Sequence, residues 1–144
     1  MIDPKRQAAL RESIELFFFG YRAFTSRPDR ILEQRGLGRV HHRILYFVGH
    51  RPGIAINGLL DILGVSKQAL NAPLRQLIEM KLVAVRAAEH DRRFKELRLT
   101  HDGEKLEALL TGTQMKHLAA AFGAAGAPAE AAWKRVMKSI PEMT

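Results

Sequence analysis

One short segment near the middle of the chain, "LGVSKQALNAPLRQLIEMKLV", restricts the possible folds more than any other. Gly64 follows the apolar segment "NGLLDIL" and is expected to turn the chain, and Ser66 is well placed to cap a second helix. The apolar face of that second helix is formed, at helical spacing, by Leu70, Leu74 and Leu77. The segment therefore predicts two helices joined by a tight turn, the second of which presents polar side chains outward.

Pro73 lies inside this second helix, roughly two turns after Ser66 and therefore beyond the first turn, where proline is tolerated. Its ring removes a backbone donor and clashes with the carbonyl four residues earlier. We predict one helix over about 67–80 that bends at Pro73 and is held by its inward leucines. The alternative is a shorter helix capped by Asn71, which would release Lys67 and Gln68 into a loop.

The hydrophobic period changes from that of a helix to that of a strand after this segment. Val83 and Val85 alternate with small or polar residues, and Phe94, Leu97 and Leu99 do so less regularly. The polar run "EHDRR" separates the two groups. The pattern predicts a two-stranded hairpin with a charged tip, whereas the earlier "IAI" is β-like for only a few residues.

Long amphipathic helices are predicted on both sides of this region. The first begins near Pro4 and is expected to end where "TSRPDR" interrupts its apolar stripe, ahead of a short segment around Ile31 and Leu32. The second starts after Thr100, which is followed three residues later by Gly103 rather than by glutamate or glutamine, so its capping box is imperfect. "GAAGAP" ends this helix, and a final helix contains Trp133.

Three successive phenylalanines in the first helix indicate an interface. Phe17, Phe18 and Phe19 point in directions about 100° apart on a helix, so one buried face cannot hide all three. We expect a partner subunit to cover the remaining ring or rings.

The charge of the chain indicates a polyanionic partner. The formal net charge is +8, and nucleic acid is considered before a membrane surface because no polybasic amphipathic helix stands out. The alternative is a basic surface without a partner.

The sequence contains no cysteine, which excludes disulfides, thiolate catalysis and cysteine zinc sites. No apolar stretch approaches the roughly 20 residues needed to span a bilayer, so we expect a soluble cytoplasmic protein without a membrane partner.

The order of helix, tight turn, capped helix and basic hairpin is typical of a winged helix-turn-helix, whose second helix fits the DNA major groove. Gln68 and Asn71 each offer a donor and an acceptor suited to adenine, whereas Arg75 suits guanine or phosphate and Lys67 suits phosphate. The alternative is an ordinary solvated helix face. The residues expected to point outward are Lys67, Gln68, Asn71, Ala72, Arg75 and Gln76, and the hairpin adds Arg92, Arg93, Lys95 and Arg98.

Three segments together resemble the MarR (multiple antibiotic resistance regulator) family of bacterial transcription factors. They are "GLGRVHHRILYFVGHRPG", "LLDILGVSKQALNAPLRQLIEMKLV" and "HDRRFKELRLTHDG", and they lie within about 36–105. The resemblance implies one domain over 1–144 that is mainly α with a small β-hairpin wing (α+β). It places the winged helix-turn-helix lobe at about 36–100 and dimerisation helices at about 4–25 and 101–140.

The resemblance also implies a function and the residues that perform it. The function is that of a dimeric regulator, expected to be a repressor, which binds a pseudo-palindromic operator in double-stranded DNA and is released by a small molecule. In the wing, Asp91 is expected to brace Arg93. The residues implied to bind DNA are Ser66, Lys67, Gln68, Asn71 and Arg75 in the recognition helix and Arg92, Arg93 and Lys95 in the wing.

Two residues depart from the family pattern. An aliphatic residue is usual where Pro73 stands, and a glycine is usual where Lys81 stands. Lys81 would cost about 1 kcal/mol if it adopted the left-handed backbone conformation that glycine adopts there without strain. Both departures concern the shape of the recognition helix.

The family also implies a cleft for phenolic or lipophilic effectors between the dimer helices and the DNA-binding lobe. Ordinary core packing is the alternative role for the aromatic residues, and simple exposure is the alternative for the histidines. The candidate cleft residues are Phe17, Phe18, Tyr21, Phe24, His41, His42 and Tyr46.

Other classes of function receive less support from the sequence. The six histidines lack a paired ligand spacing, so we expect no metal site and no cofactor. No nucleophile elbow, phosphate loop or paired-histidine metal motif occurs, so we do not expect an enzyme. A winged-helix adaptor that binds protein is the alternative to a DNA-binding regulator, and it would lack steep salt dependence in any DNA binding.

Overall fold

The computed structural model describes residues 1–142. This part of the chain contains a small antiparallel sheet surrounded by helices, which confirms the mainly α fold with a β wing. The elements in chain order are α1 (Pro4–Glu33), α2 (Arg39–His50), β1 (Ile54–Ala55), α3 (Ile56–Leu63), α4 (Lys67–Glu79), β2 (Val83–Ala87), β3 (Lys95–Leu99), α5 (His101–Ala125) and α6 (Ala127–Glu142).

Helix α4 is continuous through Pro73, as the sequence predicts. Ser66 caps it, with its Oγ accepting a hydrogen bond from Ala69 N at 3.1 Å. The alternative in which Asn71 caps a shorter helix is wrong, because Asn71 lies inside α4. Burial of the inward leucines, from Leu70 to Leu77, stabilises the helix against the loss of one backbone hydrogen bond. The bend at Pro73 stays a prediction.

The end of α4 confirms the expectation for Lys81. Its φ is 60°, in the left-handed region, and it follows the capping residue Met80. Lys81 N donates to Ile78 O at 3.0 Å and Leu82 N donates to Leu77 O at 2.9 Å, which is the hydrogen-bond pattern of a Schellman motif. Helix α4 therefore ends in a common capping motif, but the left-handed position is occupied by a lysine, whose Cβ makes that backbone conformation sterically unfavourable.

Lys81→Gly is expected to raise the free energy of unfolding by about 0.5–1 kcal/mol, because glycine adopts the left-handed conformation without a Cβ clash. Urea unfolding at one fixed protein concentration measures the change. Lys81→Ala is the matched control, since it removes the charge but retains the Cβ. A gain of equal size in Lys81→Ala would assign the effect to the charge.

Helix α1 is longer than the sequence predicts. The expected end at "TSRPDR" is wrong, because α1 continues through Pro28 to Glu33 and includes the segment around Leu32 as its last turns. Pro28 is fully buried, and Leu32 is completely inaccessible to solvent. Thr25 Oγ1 donates to the carbonyl oxygen of Tyr21 at 3.1 Å. Tertiary packing of this face thus maintains the helix where the local sequence would end it.

The sheet has three strands in the order β1-β3-β2, one more than the predicted hairpin. The register pairs Val83 with Leu99 and Val85 with Leu97 in the wing, and Ile54 with Leu97 on the other side of β3. The two-residue strand β1 joins the sheet because Gly53 N donates to Leu97 O at 2.9 Å. This pairing attaches the base of the wing to the lobe.

One hydrophobic core connects the lobe to α5. Its buried members come from the end of α1, from α2, α3, α4 and the sheet, and from Leu106 and Leu110 of α5. Thr100 fastens the start of α5, because its N donates to Leu82 O at 3.0 Å and its Oγ1 donates to Lys81 O at 2.7 Å. Within residues 1–142, no helix combines the length and the apolar character needed to cross a membrane.

Candidate DNA-binding surface

The polar residues expected to read DNA share one exposed face of α4. Lys67, Asn71 and Arg75 follow one another at intervals of four residues, so they lie along one side of the helix, and Gln68 is beside Lys67. All four are exposed. The cap formed by Ser66 orders the start of this face, where the free N–H groups of a helix favour anions such as phosphate.

Gln76 is not part of this outward face, which corrects the sequence interpretation. It is half-buried and points toward α2, where its Oε1 lies 2.9 Å from His41 Nε2. Its Nε2 donates to Gly36 O at 3.3 Å. The helical spacing alone did not distinguish this residue from its exposed neighbour Arg75, because polar residues at the border of a helix face can turn either way.

The tip of the wing is ordered by an ion pair between Asp91 and Arg93. Arg93 Nη2 lies 2.7 Å from Asp91 Oδ2, Arg93 Nε lies 3.1 Å from both carboxylate oxygens, and the Arg93 backbone N donates to Oδ1 at 3.0 Å. These hydrogen bonds lower the pKa of the Asp91 carboxyl and raise that of the Arg93 guanidinium. Arg93 is largely exposed, so the ion pair positions the tip more than it stabilises the fold. Arg92 and Lys95 are also exposed beside it.

An aromatic pair in the wing was not identified as part of a site from the sequence. The Phe94 ring is 52% exposed, and it stacks on the His90 imidazole with ring centroids 6.2 Å apart. Phe94 was assigned to the strand pattern, although an aromatic residue inside a charged tip is itself an unusual signal. Arg98, in contrast, is half-buried at the base of the wing near Gly53.

The candidate cleft residues line different surfaces. A cavity of about 470 Å³ between α1, α2 and α5 is lined by Tyr21, Phe24, His42 and Tyr46, with Thr111 and Met115 on the α5 side. Phe17 lines a second cavity of about 490 Å³ between α1, α5 and α6, and Phe17 and Phe18 together line a more open apolar depression on α1. The members of this first cavity that were predicted from the sequence are therefore Tyr21, Phe24, His42 and Tyr46.

Hydrogen bonds organise the polar part of this cavity. Arg43 Nη2 donates to Tyr21 Oη at 2.7 Å. His42 Nε2 lies 3.2 Å from Thr111 Oγ1, which in turn donates to the Glu107 carboxylate. Burial lowers the pKa of His42, which favours the neutral imidazole.

The suggestion that the two adjacent histidines are simply exposed is wrong, since His41 and His42 are 9% and 8% exposed. His41 does not line the cavity but faces α4. Among residues 1–142, no group of three His, Asp or Glu side chains is arranged to hold a metal ion.

A capped helix after a tight turn, followed by a basic two-stranded wing, defines a winged helix-turn-helix protein. The chain belongs to the MarR family of transcription regulators, as its resemblance to that family implied. The family model matches residues 35–93. Over 131 residues, 91% of this chain and 79% of the relative, the sequence is 44% identical to the HTH-type transcriptional regulator PetP of Rhodobacter capsulatus.

Solved structures show the same fold. A MarR family transcription regulator superposes with a TM-score of 0.77 at 20% identity, over 95% of this chain and 91% of that chain. A complex of Staphylococcus aureus MepR with DNA superposes with a TM-score of 0.74 at 19% identity, over 90% of this chain and 96% of that chain.

Proposed function

We propose that the protein is a homodimeric transcriptional repressor that binds a pseudo-palindromic operator in the cytoplasm through helix α4 and the wing. The observation that carries this proposal is the joint exposure of the polar α4 face and the basic wing tip on one lobe. Side chains of α4 would read base edges in the major groove, and Arg92, Arg93 and Lys95 would contact phosphates or the minor groove. The net charge of +8 favours such a polyanionic partner.

The proposed homodimer is supported by apolar residues that one chain leaves in water. Phe17, Phe18 and Phe19 are each more than half exposed on α1. Trp133 and Val136 are exposed on α6 at 44% and 59%. Two helices at opposite ends of the chain therefore both present apolar surface, and pairing them across a two-fold axis would bury it.

The proposed effector site is the cavity between α1, α2 and α5. Its wall is largely aromatic and apolar, and Tyr21 and Arg43 supply polar groups at its edge. This composition suits a small phenolic or lipophilic molecule. A ligand there would contact α1 and α5 together with α2 of the lobe, so its binding can change the separation of the two recognition helices.

The decisive experiment is selection of genomic fragments by the purified protein, followed by titration of a recovered duplex at several salt concentrations. A repressor of this kind should recover fragments with two half-sites related by a dyad and about one helical turn apart. Its affinity should fall steeply with salt. The adaptor function would instead give no enriched fragment and negligible salt-dependent binding to duplex.

Arg92→Ala and Arg93→Ala are each expected to weaken DNA binding and to lower the slope of log affinity against log salt by roughly one, if each loses one phosphate contact. Fluorescence anisotropy on a recovered duplex measures both quantities. Arg93→Ala should have the larger effect, because it also releases Asp91 and disorders the tip. Lys138→Ala, an equal loss of charge on exposed α6, is the control. Unchanged affinity in both wing variants would remove the wing from the mechanism.

A further inference from the structure

We propose that Gln76 and His41 are positioning residues that hold the recognition helix in the orientation required to read DNA. They connect α4 to the junction between α1 and α2 through a directed chain of hydrogen bonds. This chain, which we call the relay, runs from Gly38 through His41 and Gln76 to Gly36. This inference rests on the proposed DNA-binding function, and it assigns a role to two residues that do not contact DNA in that proposal.

The chain of hydrogen bonds admits one assignment of protons. Gly38 N–H donates to His41 Nδ1 at 2.9 Å, so Nδ1 carries no proton and Nε2 carries it in the neutral ring. His41 Nε2–H then donates to Gln76 Oε1 at 2.9 Å. This orients the Gln76 amide so that its Nε2 donates to Gly36 O at 3.3 Å. Each of the three hydrogen bonds pairs one donor with one acceptor, and both the amide oxygen and the amide nitrogen of Gln76 take part.

The bonds join parts of the chain that are distant in sequence. His41 and Gln76 are 35 residues apart, and Gln76 and Gly36 are 40 residues apart. Gly36 has a φ of 73° and lies in the turn that follows α1, whereas Gly38 caps α2. The relay therefore attaches α4 directly to the turn where the long α1 helix enters the DNA-binding lobe.

Apolar packing alone does not determine the rotation of α4 as strictly as this relay does. Leu70, Leu74 and Leu77 hold the helix on the core, but the hydrophobic effect is non-directional. Hydrogen bonds weaken steeply when their angles change. Arg75 immediately precedes Gln76, so a rotation that breaks the relay also displaces this DNA-facing side chain. With His41 only 9% exposed, water can replace the lost bonds poorly.

Gln76→Met tests the relay with little change in shape, because both side chains are unbranched at Cβ and Cγ and have similar helix propensity. The probes are a duplex recovered from a random library by the wild-type protein and a scrambled duplex of the same length. Affinity for the recovered duplex is expected to fall roughly ten-fold, since His41 Nε2–H and Gly36 O lose their partner. Affinity for the scrambled duplex and the salt slope should stay unchanged, because the phosphate contacts remain.

His41→Asn provides the second arm of the test. Its Oδ1 can occupy the place of Nδ1 and accept from Gly38 N–H, but its side chain is too short to reach Gln76. His41→Asn should lose as much affinity for the recovered duplex as Gln76→Met does. The double variant should bind that duplex only slightly more weakly than either single variant, as expected for residues that act as one unit. Gln7→Met, the same substitution at an exposed glutamine near the start of α1, should bind as the wild type does.

Nitrogen-15 NMR of the imidazole gives a readout that does not depend on DNA. We expect the proton of neutral His41 on Nε2 in the wild type; a proton on Nδ1 would overturn the relay. Equal losses for both duplexes together with a lower unfolding midpoint would show a merely structural role and would also overturn it. If the wild type binds its duplex and Gln76→Met binds equally well, only the positioning role fails. If the wild type enriches no duplex, the proposed function fails and the positioning role fails with it.

Discussion

Replacing Gly103 by alanine is expected to lower the free energy of unfolding by about 3 kcal/mol or more, a large part of the roughly 5–15 kcal/mol typical of a native protein. A Cβ at this position would lie 2.0 Å from Leu82 O and 3.0 Å from Leu82 C. Both are backbone atoms, and Leu82 O is also held by Thr100 N, so neither can move aside without shifting α5 from the sheet. Urea unfolding at fixed protein concentration measures the loss.

Gly112→Ala is the matched control for this prediction. It lies in the same helix, and apart from its chain neighbours and the adjoining helix backbone, no atom of the described residues lies within 4 Å of an added Cβ there. Alanine at this position should therefore be neutral or stabilise the protein by up to about 1 kcal/mol through its higher helix propensity. Equal unfolding midpoints for Gly103→Ala and the wild type would show that α5 can shift at little cost.

Phe18→Glu is expected to convert the proposed dimer into a monomer at micromolar concentration. The Phe18 ring is 59% exposed in the single chain and lies beside Phe19 at a centroid distance of 5.3 Å. A two-fold interface over these rings would bury two unpaired carboxylates in the variant, and each costs several kcal/mol, so we expect dimer affinity to fall at least about 100-fold. Sedimentation equilibrium measures this change.

Loss of the dimer should also weaken binding to a duplex with two half-sites by about 100-fold or more, because the second recognition helix then no longer acts at high effective concentration. Gln7→Glu introduces the same charge near the start of α1 and should remain a dimer. A wild-type protein that sediments as a monomer would contradict the dimer itself. A dimeric Phe18→Glu would place the interface on another surface.

The features that were predicted correctly depend on residues close together in sequence. Gly64 ends α3 with a φ of 64°, Ser66 caps α4, and Lys81 adopts the left-handed conformation. Each of these is decided by hydrogen bonds within one helical turn, and local residue types report such bonds directly. The outward positions on α4 could be predicted for the same reason, because helical spacing places Asn71 and Arg75 on the same face.

The features that were missed depend on contacts between distant segments. Pro28 should end a helix by local rules, yet its burial against the core allows α1 to continue. Gly103 departs from the capping box, and the reason is the backbone of Leu82 rather than anything in α5 itself. The third strand, β1, exists because Leu97 accepts a hydrogen bond from Gly53.

The sequence by itself determined the helix order, the caps, the polar face of α4, the basic wing and the family. Periodicity and local hydrogen bonding depend on residues that are close together in the sequence, so residue types and their spacing are enough to predict them. Only the tertiary structure decided which polar groups meet. It turned Gln76 inward to His41, placed His42 at a cavity wall beside Thr111, and left Phe18 exposed. Hydrogen bonds require specific distances and angles, and those between residues 35 to 69 positions apart arise only when packing brings their helices together.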